Sequence, residues 1–586
     1  MARTRLALSA AVLLGVLACR PATPATSIGG AEGAPAIPAR TAPQFPDGWR
    51  FEPGQEATFA QRAMVSSNSE LASAAGVEIM RQGGNAVDAA VATGFALAVT
   101  YPAAGNVGGG GFMVIRLANG DVASIDYREI APLASTRNMY LDAAGKKTNK
   151  SLVGHLASGT PGAVAGMAEA QRRYGRLTLA QVMAPAIRLA SEGFVVDSAL
   201  WRSLRSDSSV ITRFAGKDIF FPGGPAVAPG SRLVQRDLAE TLRAISAEGP
   251  RAFYEGRTAD LIVAEMQRGG GIITKEDLAQ YKPIWREPLR GTYRGYSLIA
   301  MPPASSGGTT MIEALNILET YEALPPFHSA QYKHLLGEAF RRAFVDRNTT
   351  LCDPAFCDVP VDRLTSKSYA RELRRSIQPH QASQSPSGVE APGGTHTTHY
   401  SVVDAEGNAV STTTTINGGY GSGVVVAGAG FFLNNEMDDL AVAPGQPNMF
   451  GLVEGEQNAV APGKRPLSSM SPTIVLDPAG QVLLVVGAAG GPTIISGTMQ
   501  VILNVVEHRM TLADAMRAPR MHHQAWPDSI RYEERGFAPT VVDSLRAMGH
   551  GLYGTRSLTN VNAIMRVRGG WHGVSEPRGV GGVVGY

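Results

Sequence analysis

The sequence is poor in cysteine, poor in charge and without a long apolar run after its first residues, and each scarcity removes a class of protein. Three cysteines in 586 residues, Cys19, Cys352 and Cys357, cannot staple a chain of this size, so its stability has to come from a large buried core. Cys352 and Cys357 lie close together in "LCDPAFCD", where a local disulfide suits an oxidising compartment. No CxxC or HExxH pattern occurs. The one histidine pair, His522-His523, stands without further ligand residues, so no metal is expected and the pair reads as structural. Charged residues make up 18% of the chain and the net charge is +3 with no basic run, which excludes an electrostatic footprint for nucleic acid. No Gly-x-Ser-x-Gly setting is present, and Gly108 to Gly111 is followed by no Gly-Lys-Ser/Thr, so these glycines read as a tight turn rather than a phosphate loop. The 67 glycines are scattered, without a repeat period.

The chain instead holds an α/β enzyme-sized body behind an address label. "MARTRLALSAAVLLGVLAC" has two arginines followed by an apolar stretch too short to span a bilayer, as in an export signal over residues 1–18. Val16 to Cys19 resembles a bacterial lipobox, with ordinary signal cleavage nearby as the alternative. The expected location is outside the cytoplasm: periplasmic, or an outer-membrane lipoprotein, if the source is bacterial. Residues 19–44 have the Pro, Ala, Gly and Thr content of a tether, and no later segment reads as membrane-spanning.

In the body, Ser69 is placed to cap a helix over Glu70 to Gln82, and Asn85 to cap one reaching Val99. The second is apolar nearly all round and therefore belongs between layers. Two strands flanking Ala118-Asn119-Gly120 follow, the second ending at Arg128. Leu177 to Gly249 reads as helices with polar faces, and Thr274 as a helix start. "MPPASSGG", Met301 to Gly308, reads as a loop ahead of two amphipathic helices. Gln378 to Gly394 breaks all periodicity and is expected to be exposed and flexible.

After that break, "YSVVDAEGNAVSTTTT" gives two β-prone runs around Ala405-Glu406-Gly407, a loop whose glycine suits the left-handed position. Asp404 then pairs with Asn408, Ser401 with Ser411, His399 with Thr413 and Thr397 with Thr415, barring a bulge. Cβ atoms of directly opposed residues lie roughly 4.5–5.5 Å apart, within reach of a hydroxyl–hydroxyl hydrogen bond. A hydroxyl needs a base. A threonine at a chain's own N-terminus carries one, an α-amino group with a pKa of about 8. Exposing that amine requires a cut inside the precursor, and the irregular stretch ending at His396 is where one can fall.

"TTHYSVVDAEGNAV", "LNNEMDD", "KRPLSSMSPTIV", "NVGGGGFMVIR", "DYREIAP" and "MPPASSGG" resemble, in order, the γ-glutamyltranspeptidase family of N-terminal nucleophile hydrolases. The resemblance implies a four-layer αββα fold that cleaves itself before a threonine into two intertwined subunits, here residues 45–396 and 397–586. Thr397 matches the nucleophile, with Thr395 and Thr398 as rivals within a register error, and Thr415 matches the threonine that hydrogen-bonds it. Arg128, Ser468 and Ser469 match the clamp on the substrate carboxylate. Asn417, Glu436 and Asp439 match the side that receives its ammonium, and Gly490 and Gly491 the oxyanion hole.

Pro444 to Asn458 aligns with a lid loop, in which Phe450 stands where many bacterial members carry a tyrosine. Its ring can still cover the pocket by packing. The implied activity is γ-glutamyl transfer from glutathione and related compounds to water, amino acids or peptides, with no cofactor. Two rivals remain: a glutaryl or cephalosporin acylase of the same superfamily, and a catalytically silent exported binding lipoprotein.

Overall fold

The computed structural model describes residues 43–385 and 397–586. The export signal, nearly all of the tether, Cys19, and the residues just before Thr397 lie outside that range. Among the described residues no helix is long and apolar enough to cross a membrane.

Two seven-stranded sheets form the centre, and every strand pairing within them is antiparallel. One sheet runs Thr58–Ala60, Gly570–Val574, Asn560–Val567, Val482–Ala489, Thr473–Leu476, Tyr296–Ala300, Leu289–Tyr293. The other runs Gly582–Gly585, Met64–Ser67, Thr398–Val403, Ala409–Thr415, Gly110–Arg116, Val122–Asp126, Ile284–Arg286. Strand side chains alternate between faces, and this divides the core in two. Tyr400, Val402 and Val410 pack with helices Glu70–Arg81 and Ala86–Thr100 in one cluster. Val403 and Ala409 face the other way, into a cluster with the first sheet and helices Gly307–Glu319, Ala330–Thr350 and Thr493–Val506. The result is the expected helix–sheet–sheet–helix sandwich.

Between the sheets the contact is close and polar. Ser401 Oγ donates to Val485 O and Ser411 Oγ to Val486 O, both at 3.1 Å. Asn562 Nδ2 donates to His399 O at 2.9 Å. Small hydroxyl residues let the layers approach and satisfy strand carbonyls across the gap. Gly487 faces the His399 ring, where a Cβ would come within 2.4 Å of it.

Several local expectations need correction. Ser69 stands at the start of its helix but makes no side-chain cap bond, whereas Asn85 forms a full capping box with Asp88, as does Thr274 with Asp277. The second strand after the glycine turn stops at Asp126, and Gly110 and Gly111 already belong to the strand before it. Gly307 and Gly308 open a helix rather than close a loop. That helix is not amphipathic: Gly307 through Leu318 are buried, with Asn316 Nδ2 satisfied by Thr365 O. Residues 378–385 are pinned, not loose. Ala382 N donates to Met548 O, Ser383 N to Glu338 and Ser385 N to Asp528. Cys352 and Cys357 are joined as a disulfide.

The His399 ring is held on both nitrogens, by Thr413 and Ser401, so it cannot swing away from an added methyl. Gly487→Ala should therefore cost about 1–3 kcal/mol of stability, the range for overpacking a tight core. Thermal or urea unfolding of the variant beside wild type checks this, and equal stability would show that the sheets can part without penalty.

Candidate active site

The hairpin register is the one expected: Thr398 pairs Thr414, His399 pairs Thr413 and Ser401 pairs Ser411, with no bulge. Gly407 takes φ +91° at the turn, where a side chain would strain the backbone. One step beyond the paired strand, Thr397 Oγ1 lies 3.4 Å from Thr415 Oγ1. Thr415 Oγ1 also accepts from Asn417 N at 2.8 Å, a contact that requires Asn417 to adopt φ +72°. Asn417 Nδ2 in turn donates to Asn435 O. The next residue along, Thr398, donates to Asn68 Oδ1, which Asn562 Nδ2 also holds.

No side-chain base serves Thr397 from its own strand. His399 has both nitrogens engaged, and burial pulls its pKa down to about 3, so it is a neutral structural group.

One small cavity brings together Thr397, Thr415, Arg128, Asn417, Glu436, Asp439, Ser468, Ser469 and Gly491. Of the residues read from sequence only Gly490 is not on its wall, and it adjoins Gly491. The two glycines, at φ +137° and +59°, turn the strand Val482–Ala489 into the helix Thr493–Val506. The first amides of a helix have no intrahelical acceptor, and its dipole favours negative charge there. A Cβ on Gly491 would meet the Phe450 ring at 2.6 Å.

Arg128 is completely buried. Its guanidinium pairs with Glu436 and, at 2.7 Å, with Asp439, lies 3.5 Å from Glu129, and donates through Nε to Pro466 O. Burial works against its charge, but the three carboxylates outweigh that and raise its pKa further. Burial pushes Glu436 well above the carboxylate range and lifts Asp439 too, with Arg128 opposing both. Glu129, whose carboxylate oxygens have no hydrogen-bond partner among the described residues, is pushed up to about 7 by burial, again against Arg128. One guanidinium thus faces three carboxyls whose ionisation burial opposes.

Ser469 Oγ is buried and unpartnered among the described residues, aimed into the same space as Arg128. "MPPASSGG" explains how the Ser468-Ser469 turn is held. Ser306 donates to Ser468 O through both N and Oγ, Ser468 N donates to Ala304 O, and Ser305 Oγ donates to Met470 O. A Cβ on Gly307 would strike Ser471 Oγ at 2.2 Å.

The cavity holds only about 20 Å³, roughly the room one water needs. Phe450 and Leu452 close it. The loop bearing them is tied to the acidic wall: Met449 N donates to Asp438, Asn448 Nδ2 approaches Asp439 Oδ1 at 3.4 Å, and Asn448 Oδ1 accepts from Phe450 N and Leu452 N. Its return arm carries Glu454 in a buried ion pair with Arg347. Sequence reasoning missed Glu129, Asn448, Arg347 and Glu454. Only Glu129, adjoining Arg128, carried a local signal.

Among the described residues one group, His334, Glu338 and His550, gathers ligand-type atoms. Glu338 is already taken by Arg341, Arg342 and Ser383. With two guanidiniums on its carboxylate, the group does not fit a dication. His522 and His523 are buried, His522 between Ser496 and Gln524.

The fold, with a threonine heading an inner strand of a four-layer sandwich, defines an N-terminal nucleophile hydrolase. Residues 72–586 match the family model described as gamma-glutamyltranspeptidase, and the chain belongs to that family. It is 46% identical over 532 residues to the glutathione hydrolase proenzyme of Escherichia coli (strain K12), covering 89% of this chain and 91% of that one. It is 41% identical over 499 residues to the acylase ACY 1 proenzyme of Pseudomonas sp. (strain SE83), covering 83% and 87%. Among solved structures, a cephalosporin acylase from Bacillus halodurans superposes with TM-score 0.81 at 30% identity over 92% of this chain and 99% of that one. The Helicobacter pylori gamma-glutamyltranspeptidase gives TM-score 0.54 at 43% identity over 56% of this chain and 94% of that one.

Arg128→Met should leave the buried acids without their cation and cost about 3–5 kcal/mol of stability. Adding Glu436→Gln and Asp439→Asn should return most of that loss. Urea unfolding of the single and triple variants measures it. A single variant as stable as wild type would mean that the acids are already protonated and Arg128 is not their counter-ion.

Proposed function

We propose that this chain is a self-processing γ-glutamyl acyl-transfer enzyme. In this reading the bond before Thr397 is cut, and the new α-amino group takes the Thr397 hydroxyl proton. Oγ attacks the γ-amide carbonyl of glutathione or another γ-glutamyl compound. Gly490 and Gly491 supply backbone N–H groups to the oxyanion, and Thr415 orients Thr397. Collapse of the tetrahedral species breaks the γ C–N bond, and the departing amine takes the proton held by the α-amino group. The ester left on Thr397 is resolved by water or by the amine of an amino acid or peptide, which frees the hydroxyl again. No step needs a cofactor. The two pieces, 45–396 and 397–586, stay together as a heterodimer, exported behind the N-terminal signal, with a lipid on Cys19 as its only membrane attachment if the lipobox is used.

The observation that carries the reading is the buried Arg128 facing Glu436 and Asp439 in the cavity that also holds Thr397. A γ-glutamyl head bears a carboxylate and an ammonium on one carbon. It can enter by exchange: its carboxylate takes the guanidinium with Ser468 and Ser469, and its ammonium takes the released acids with Asn417. Charge in the buried site is unchanged by the exchange, so the desolvation of two new ions is offset. Phe450 and Leu452 must move for this, and a phenylalanine ring offers no hydroxyl latch to Asn417. Closure then rests on ring packing and on the loop's ties to Asp438 and Asp439, and the missing hydroxyl latch favours access of water to the ester.

The acylase reading shares the fold and the nucleophile but has no use for two carboxylates beside the arginine. Comparing a γ-glutamyl and a glutaryl donor with one leaving group separates the readings. Asp439→Asn should lower kcat/KM for the γ-glutamyl donor more than tenfold, from loss of a charge-assisted hydrogen bond of about 1.5–3 kcal/mol, and leave the glutaryl donor nearly untouched. Equal losses would mean that Asp439 does not read an ammonium, and faster turnover of the glutaryl donor by wild type would favour the acylase.

Processing has its own check. Under denaturing conditions the mature protein should run as two pieces, the smaller beginning at Thr397, while Thr397→Ala stays whole and inactive. A different N-terminus, such as Thr395 or Thr398, would displace the assignment.

A further inference from the structure

Lys333 is a buried amine that the chemistry above does not use. It lies on the helix Ala330–Thr350 with 1% of its surface exposed, and no described residue offers its Nζ a hydrogen bond or an opposite charge. Three aromatic rings surround it instead: Phe327 at 4.4 Å, Tyr332 at 5.1 Å and Phe537 at 5.1 Å from Nζ. Aromatic faces soften the cost of a buried ammonium but do not replace a counter-ion.

Two further nitrogens nearby are also unpartnered among the described residues: His328 Nε2 and His508 Nε2. Their rings sit 4.3 and 5.0 Å from the Phe327 ring, centroid to centroid. Glu507, the acid beside His508 in sequence, is occupied by Tyr293 and Arg294. Burial and the neighbouring Lys333 lower the pKa of both imidazoles, to about 4 and about 3, so they are neutral rings beside one ammonium, and no carboxylate among the described residues joins it. Burial lowers the Lys333 pKa to about 7, as expected for an amine lacking its anion.

Beside Lys333 is a cavity of about 190 Å³, walled by Phe45, Pro46, His328, Phe537 and Val541. It shares no residue with the catalytic cavity. Its size suits a single ring or a short chain and is below that of sites for larger ligands. We infer that this cavity is a second, non-catalytic site for a small monocarboxylate with an apolar body. The carboxylate would accept from Lys333 Nζ, and the hydrocarbon would lie against Phe45, Phe537 and Val541. A single ammonium at the end of an apolar cavity matches one negative charge on a hydrophobic group, and matches poorly a multiply charged, strongly hydrated anion such as phosphate.

Benzoate is a suitable probe on the mature protein, with inorganic phosphate at equal concentration as the comparison. Trace acetylation followed by peptide mapping reads the reactivity of Lys333 against the exposed lysines of the same sample. Benzoate should slow Lys333 labelling at least fivefold relative to those lysines, and phosphate should not. Benzoate should also raise the melting temperature of wild type and not that of Lys333→Met, whose thioether fits the aromatic cage without a charge. The labelling is done on wild type, so it decides even if the variant does not fold. Unchanged Lys333 labelling, equal protection by phosphate, or a benzoate-induced melting shift that survives in Lys333→Met would each overturn the inference.

Discussion

The site depends on one pairing, that of the strand Thr398–Val403 with the strand Ala409–Thr415. Because alternate residues face opposite layers, a slip of one residue would turn Tyr400 and Val402 into the polar gap between the sheets and bring Ser401 and His399 into the apolar layer under the helices. The left-handed turn at Gly407 and the hydroxyl contacts from Ser401 and Ser411 to the facing sheet exclude that slip. With the register fixed, Thr397 meets Thr415, and Asn417 N donates to the Thr415 hydroxyl.

Around this fixed point the electrostatics are arranged for exchange rather than for an open reception. Arg128 holds the acids that an ammonium would need, and they hold the guanidinium that a carboxylate would need. Neither charge waits unpaired in a dry interior, where its cost would be severe. In the proposed reading, a ligand with only one of the two charges would leave an ion of the protein unmatched, which would favour a zwitterion. The Asn448 contact to Asp439 and the Phe450 ring over Gly491 place the loop that closes the cavity on the same acids.

Much of this was legible in the sequence because it is local. The hairpin, the Asn85 and Thr274 capping boxes and the apolar helix after Asn85 all rest on neighbours within a few residues. The clustering of Arg128 with residues more than three hundred positions away was not derivable from spacing, and came from family resemblance. Arg347 with Glu454, and Ser306 with Ser468, join distant segments with no motif between them. The helix Gly307–Glu319 was misread for a related reason: its Glu313 and Asn316 look like a solvent face, yet both are buried, Asn316 with a partner that periodicity cannot reveal. Residues 378–385 likewise carry a loop's composition, and their anchors, Glu338, Asp528 and Met548, lie far along the chain.

The second sheet interleaves strands from both sides of Thr397: Gly582–Gly585, then Met64–Ser67, then Thr398–Val403 and Ala409–Thr415, then Gly110–Arg116. This shape is reached by one continuous chain, in which every loop closure is intramolecular. Once that chain is cut, the same shape could be regained only by two molecules finding each other with their strands interleaved. Maturation therefore makes the return path longer. For the processed protein, the rate at which it first opens weighs more in its durability than it does for the uncut chain.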